Sequence, residues 1–218
     1  MVLSDWLAKN WVEIFGAVTG IIYVFLEIKQ YLWLWPVGIV TSAVYILVFF
    51  TSKFYADMSL QGYYLVISGL GWYWWLKGGR RQVTGEREEG ERDGNKNSPF
   101  EGGQGDVNSE KLHVTRLKLK TGIILAAVFV IIYAIIWLAL SRMTDSPVPE
   151  WDAFITSLSI VATWMLARKI YEHWFLWIVV NSVSSGLFVF KGLYPTAGLY
   201  LVYLVMSFVG LKEWKRSL

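Results

Sequence analysis

Hydrophobic and polar positions along this chain come in blocks. Seven apolar runs, near 11–28, 32–51, 58–76, 121–141, 152–168, 174–190 and 195–212, are parted by polar breaks as short as Lys29-Gln30 and Thr51-Ser52-Lys53. Each run is long enough to cross a hydrocarbon core of about 30 Å, which takes roughly 17 to 25 helical residues. Hydrocarbon offers the backbone no water, and the runs are too long for barrel strands. The pattern therefore predicts an all-α integral membrane protein of seven transmembrane helices, antiparallel where the connections are short. One long polar segment interrupts it, Gly78 to Lys120, rich in Gly, Glu and Arg and nearly free of large apolar residues. Such a stretch does not offset its own ordering entropy and is expected to be a solvated linker. A docking site for a cytoplasmic partner has only the mixed charge in its favour.

Sliding the sequence on itself by 139 residues aligns Phe15–Lys77 with Phe154–Arg216 without a gap. The register pairs Trp35 with Trp174, Tyr55 with Tyr194, Tyr64 with Tyr203, Gly71 with Gly210 and Trp75 with Trp214. Apolar composition alone would hardly bring tryptophans, tyrosines and glycines into one register. Each half then holds three helices, and three is odd, so a directly joined second half would enter the membrane inverted. The fourth helix, which has no counterpart, restores the direction. The plan is 3+1+3 with parallel repeats: a first repeat over 1–77, the polar linker over 78–120, a linker helix over 121–141 and a second repeat over 150–218.

Composition narrows the chemistry. The chain is 55% hydrophobic and has no cysteine, which excludes disulfides, thiolate metal sites and cysteine nucleophiles. With only His113 and His173 as imidazoles, no metal centre is expected, nor any other cofactor. Nothing points to a nucleic-acid partner, membrane lipid is the expected surroundings, and a homo-oligomer stays open. Lys29, Arg168, Lys169, Lys212, Lys215 and Arg216 fall on one side of the membrane, against Lys9, Lys53, Arg142 and Lys191 on the other. The positive-inside rule thus places the N-terminus outside and the C-terminus in the cytoplasm. The start MVLSDWLAKNW lacks the plan of a cleaved secretory signal, so the first apolar run is expected to stay in the mature protein.

Candidate site residues come from helical spacing. Trp174, Trp177 and Asn181 lie at i, i+3, i+7 and share one face, and lipid has no use for the Asn181 amide. Their counterparts are Trp35, Gly38 and Ser42, so Trp35 and Trp174 are expected as walls of a site between the halves, with Trp177 and Asn181 supplying asymmetry. Tryptophans near a helix start are also interfacial anchors, a reading that weighs most for Trp35. Gln61, Tyr64 and Ser68, with counterparts Tyr200, Tyr203 and Ser207, form a second stripe that either bonds neighbouring helices or lines a cavity. Ser182, Ser184 and Ser185 near Gly186, and Gly16 with Gly20, suit close helix contacts, while Trp72, Trp74, Trp75 and Trp214 read as interfacial anchors. Glu13 and Glu27 lie near the ends of helix one, Asp57, Asp152 and His173 at helix starts, and no charge falls in mid-span. Ion coupling usually needs such a group, so none is expected, and a cationic substrate would be held by tryptophan faces. An intramembrane enzyme lacks its catalytic groups here.

WFLWIVVN, residues 174–181, resembles the WxxWxxxN signature of the PnuC-type vitamin transporters. TWMLARKIYEHW, FKGLYPTAGLYLVY and GLKEWKR in the second half, and EIFGAVTGIIYVFLEIKQYLWLWPVGIVTS and KFYADMSLQGYY in the first, are similar to the same family. The resemblance implies a seven-helix fold like that of the SWEET sugar facilitators, and facilitated diffusion of nicotinamide riboside across the bacterial inner membrane. It also implies that Trp174, Trp177 and Asn181 contact substrate. Members are associated with nicotinamide riboside, thiamine, riboflavin or deoxynucleosides. Nicotinamide riboside stands first because the Asn181 amide can pair with a carboxamide or a ribose hydroxyl, and thiamine is the alternative. A facilitator does not concentrate its ligand, so the resemblance implies a cytoplasmic vitamin kinase as functional partner.

Overall fold

The computed structural model describes residues 2–51, 55–90, 113–143 and 147–218, with side chains for 11, 14–48, 50, 58–77 and, beyond 112, throughout those ranges. The side chains of Lys9, Glu13, Lys53, Tyr55 and Asp57, and those of the polar segment over 78–112, lie outside the described residues. Among the described residues seven helices follow one another: α1 Val2–Ile28, α2 Leu34–Thr51, α3 Tyr55–Gly90, α4 Leu119–Met143, α5 Pro149–Ala167, α6 His173–Phe190 and α7 Tyr194–Lys215. Helix α3 runs past its apolar stretch into the polar segment, as far as Gly90.

The bundle packs in two groups of three helices. Helices α1, α2 and α3 pack in sequence, as do α5, α6 and α7, and the two groups meet through α1 with α7 and α3 with α5. Shifting by one repeat turns each of these pairs into the other. Helix α4 packs on α5 and has no buried residue, so its apolar surface is turned outward.

The same packing device occurs in both groups. Trp35 is fully buried with its ring where a Gly71 Cβ would stand, and Trp174 occupies the corresponding place over Gly210. Trp75 meets Trp35 edge-on at 5.3 Å between centroids, and Trp214 meets Trp174 at 5.9 Å. Trp75 and Trp214 are therefore core residues and not the interfacial anchors that their basic neighbours led us to expect. Each indole N–H reaches across to the other group: Trp75 donates to the Ala167 carbonyl at 3.2 Å, and Trp214 to the Glu27 carbonyl at 3.0 Å. Carbonyls in the last turn of a helix lack intrahelical donors, and these bonds satisfy two of them. Trp72 remains exposed, and Trp74 lies under the Arg168 guanidinium.

Helices α1 and α5 end in the same turn. Tyr31 N–H bonds the Leu26 carbonyl and Ile170 N–H the Met165 carbonyl, both at 2.9 Å, around a residue in left-handed conformation. That residue is Gln30 at φ 54° in one turn and Lys169 at φ 51° in the other. Glycine fills this place in the α6–α7 turn, where Gly192 has φ 74°. Side chains are retained at the other two because Lys169 Nζ donates to Gln30 Oε1 at 3.2 Å, tying the two turns together.

The polar segment does not stay solvated to its end. Thr115 bridges Ile170 in parallel, exchanging bonds with Lys169 and Tyr171 at 2.9 Å, and Leu117 N–H bonds Glu172 Oε2 at 2.8 Å. Val114 is buried in the main core, and Leu117 packs beside Val161, Met165 and Ile170. These two apolar side chains are what the segment needs to offset the ordering of its last residues.

Candidate functional site

Six helices, all except α4, enclose a cavity of about 300 Å³. That is the lower end of the range for small-molecule sites. Each long stripe on its wall follows helical spacing. Helix α1 gives Thr19, Tyr23 and Glu27, α3 gives Gln61, Tyr64 and Ser68, and α5 gives Ile155, Ser159 and Thr163. Helix α6 gives Trp174, Trp177 and Asn181, α7 gives Tyr200, Tyr203 and Ser207, and α2 adds Gly38, Thr41 and Ser42. Close helix approach at the wall depends on glycine: a Cβ at Gly20 would overlap the Tyr203 hydroxyl, and one at Gly38 would stand 2.9 Å from Ser68 Oγ. Gly16 likewise receives Tyr45, whereas nothing approaches Gly186. Of the serines beside it, Ser182 bonds its own helix, Ser185 reaches the Ala197 carbonyl on α7, and Ser184 is buried.

The wall's polarity has a sign. Thr19, Ser159, Thr163 and Ser207 each donate their hydroxyl hydrogen to the carbonyl four residues back, at 2.7 to 2.8 Å. A hydroxyl whose hydrogen is spent in this way offers only lone pairs. Two of these oxygens are used within the protein: Asn181 Nδ2 donates to Ser207 Oγ at 3.0 Å, and the Tyr64 phenol pairs with Ser159. Among the described residues, the buried indole N–H groups of Trp174 and Trp177 have no partner. A buried donor left unpaired costs about 1 to 3 kcal/mol. Groups of three or more metal-ligating side chains are absent among the described residues.

Of the candidates read from the sequence, Trp174, Trp177, Asn181, Gln61, Tyr64, Tyr200 and Tyr203 come together on this wall. Trp35 does not. Fully buried over Gly71 and against Trp75, it is not among the residues that line the cavity and is not at the bundle surface, so it is neither a wall nor an interfacial anchor. Helical spacing gives the face of a residue but not its depth, and Trp35, unlike Gly38 and Ser42, does not line the cavity. Sequence reasoning missed the α1 and α5 contributions. Their signal was present as hydroxyls four residues apart in apolar runs, Ser159 and Thr163 being the clearest.

The expectation that charge stays out of the bundle is corrected at one end. Glu27 and His173 do lie near helix ends, yet they are 2% and 0% exposed, and His173 Nε2 stands 3.0 Å from Glu27 Oε1. Glu27 is also part of the cavity wall. A helix terminus in sequence is not a solvated position when six helices close over it. At the opposite end of the bundle Lys191 bonds Asp152 at 2.9 Å in a pair that is about a quarter exposed.

A mostly apolar, aromatic chamber with a few hydroxyl and amide groups, held among apolar helices, is the arrangement of a small-molecule membrane transporter. The chain belongs to the nicotinamide mononucleotide transporter family, whose model matches residues 10–216. It is thus a multi-pass membrane protein with a transporter fold. It is 23% identical to the nicotinamide riboside transporter PnuC of Escherichia coli, over 95% of this chain and 86% of that protein. It is 28% identical to the PnuC of Neisseria mucosa, over 95% and 73%, and 24% identical to the riboflavin/roseoflavin transporter RibM of Streptomyces davaonensis, over 94% and 84%. In fold it matches the crystal structure of the vitamin B3 transporter PnuC with a TM-score of 0.66, at 23% identity, covering 99% of this chain and 85% of that one.

Proposed function

We infer that this protein is an inner-membrane facilitator that carries nicotinamide riboside, and that Trp174, Trp177, Asn181, Gln61, Tyr64, Tyr200 and Tyr203 contact it. The observation that carries the reading is the convergence of aromatic rings (Trp177, Tyr64, Tyr200, Tyr203) with the amides of Gln61 and Asn181 and the hydroxyl oxygens of Thr19 and Thr163 around one cavity. Nicotinamide riboside complements that wall. Its carboxamide oxygen accepts from a side-chain amide N–H, its ribose hydroxyls donate to serine and threonine lone pairs, and its cationic ring suits aromatic faces at about 0.5 to 2 kcal/mol per ring. Two relatives named as nicotinamide riboside transporters support the choice. Thiamine, also a cationic ring, is the alternative by the same chemistry.

The two three-helix groups act as parallel repeats about an axis along the membrane normal, opening the cavity to one side and then the other. The end that gathers Lys29, Arg168, Lys169, Lys212, Lys215 and Arg216 is the cytoplasmic one. Transport runs downhill without ion coupling, and a cytoplasmic kinase traps the product. Purified protein in liposomes is expected to equilibrate labelled nicotinamide riboside with no pH or sodium gradient. A binding titration of nicotinamide riboside against thiamine on one preparation tests the ligand: tighter binding of thiamine, or binding of neither, overturns the assignment.

A further inference from the structure

The seam between the two helix groups is apolar on one side and polar on the other. Shifting Glu27 and His173 by one repeat gives Leu166 and Leu34, both fully buried in the main core. An acid and an imidazole thus replace two leucines at one of two equivalent places.

Hydrogen bonding fixes how many protons this pair holds. His173 Nδ1 lies 2.7 Å from the Ile170 carbonyl, which only accepts, so Nδ1 carries a hydrogen. Nε2 then faces Glu27 Oε1 at 3.0 Å. Two lone pairs opposed at that distance in a buried place would repel, so one further proton lies between them, on the nitrogen or on the oxygen. Either way the pair is neutral overall, which is the form that burial tolerates. Parting the helix groups breaks the Glu27–His173 bond and brings both side chains to water, which takes the place of the partner that held the proton. The shared proton is then released.

We propose that Glu27 and His173 form a single-proton site between the two helix groups, and that loss of its proton opens this end of the cavity. The site is wired to the wall: the His173 ring lies 4.7 Å from that of Trp174 and 4.6 Å from that of Trp214. Its titratable surroundings are Tyr23 one turn back on α1, Glu172 beside it at the start of α6, and Lys169 on the α5–α6 turn over the Trp75 ring. Beyond Trp214 lies the Lys29–Glu213 pair joining α1 to α7. Helices α2, α3 and α5 bring apolar Leu34, Trp75 and Leu166 to the same core. The released proton returns from the same compartment on closure, so no proton crosses the membrane and downhill transport is unchanged. One proton per opening shifts the opening equilibrium by up to about tenfold per pH unit, toward open as pH rises.

The chain has no cysteine, so one introduced thiol reports the opening. Thr163→Cys, buried on the cavity wall one turn inside the end of α5, is labelled with a membrane-impermeant maleimide in inverted vesicles. Rates are divided by that of a free model thiol at each pH. With the pair intact, the corrected rate is expected to rise up to about tenfold per unit between pH 6.5 and 8.5. Glu27→Gln keeps a hydrogen bond to Nε2 without a titrating proton, and the double variant E27L/H173L copies the leucines of the other seam. Both are expected to be flat. A flat rate with the pair intact, or an equal rise in both variants, overturns the proposal. It rests on the alternating opening read above but not on the ligand, and labelling is done without one, so its failure leaves the binding titration standing.

Discussion

The two helix groups agree where they pack and disagree where they face the cavity. Trp35 over Gly71 and Trp174 over Gly210 are the same solution to one packing problem, down to the edge-on tryptophan beside each. On the cavity wall, Gly38 and Ser42 stand where the second group has Trp177 and Asn181. The physical reason is plain. Packing within each group is met equally well by the same residues, but a ligand without two-fold symmetry is not distinguished by walls that have it. The departures from the repeat are therefore the places to look for recognition, and the agreements the places to look for stability.

The sharpest way to break this comparison is through the glycines. Gly71→Ala and Gly210→Ala each drive a methyl into a buried indole that has nowhere to go, an overpacking that costs about 1 to 3 kcal/mol or more. For a chain of this size each is expected to lower the melting temperature by roughly 3 to 10 °C. The two losses should be similar. Only Gly210→Ala should also weaken ligand binding, because the ring it displaces is part of the wall. A Gly210→Ala protein as stable as wild type would end the equivalence.

Making the second group resemble the first on the wall is the next test. Trp177→Gly with Asn181→Ser removes one aromatic face and one amide, and is expected to weaken nicotinamide riboside about 100-fold, with roughly tenfold for each single change. Trp35→Phe is the control, lowering stability while leaving affinity within about twofold, since its ring is outside the cavity. Titration of the purified variants reads all of these. Loss of affinity in Trp35→Phe with none in Trp177→Gly would invert the reading.

Much of this was legible before any coordinates. Seven apolar blocks correspond to the seven helices among the described residues, because a long apolar run in a bilayer has one backbone solution. The stripe of Gln61, Tyr64 and Ser68 with its counterparts on α7 was legible as a face, though whether it bonded helices or lined a cavity was open, and Ser207 does both. Depth was not legible. Trp33 is 71% exposed and Trp35 is fully buried, two residues apart in one helix start, and nothing local separates them. Trp75 and Trp214 looked like anchors because basic residues follow them, yet their partners are carbonyls more than 90 residues away. Glu27 and His173 were read as end residues for the same reason: their burial is made by helices distant in sequence.

Charges at the two ends give the smallest effects and the finest test. Lys169 is buried, bonds Gln30 and lies 4.2 Å over the Trp75 ring, so Lys169→Ala removes two contacts from the second group to the first and is expected to cost about 1 to 2 kcal/mol. Lys191 and Asp152 sit a quarter exposed at the opposite end, at 24% and 28%. Water and salt screen such a pair, and holding two side chains in place offsets part of its attraction, which leaves less than about 1 kcal/mol. Lys191→Ala should therefore move the melting temperature by no more than about 3 °C, and 0.5 M salt should erase most of that difference. The Lys169→Ala deficit should persist in salt, since its contacts are shielded from solvent. If the two variants responded alike to salt, the end that joins the helix groups would be no better sealed than the end that does not, and closure there would need another explanation.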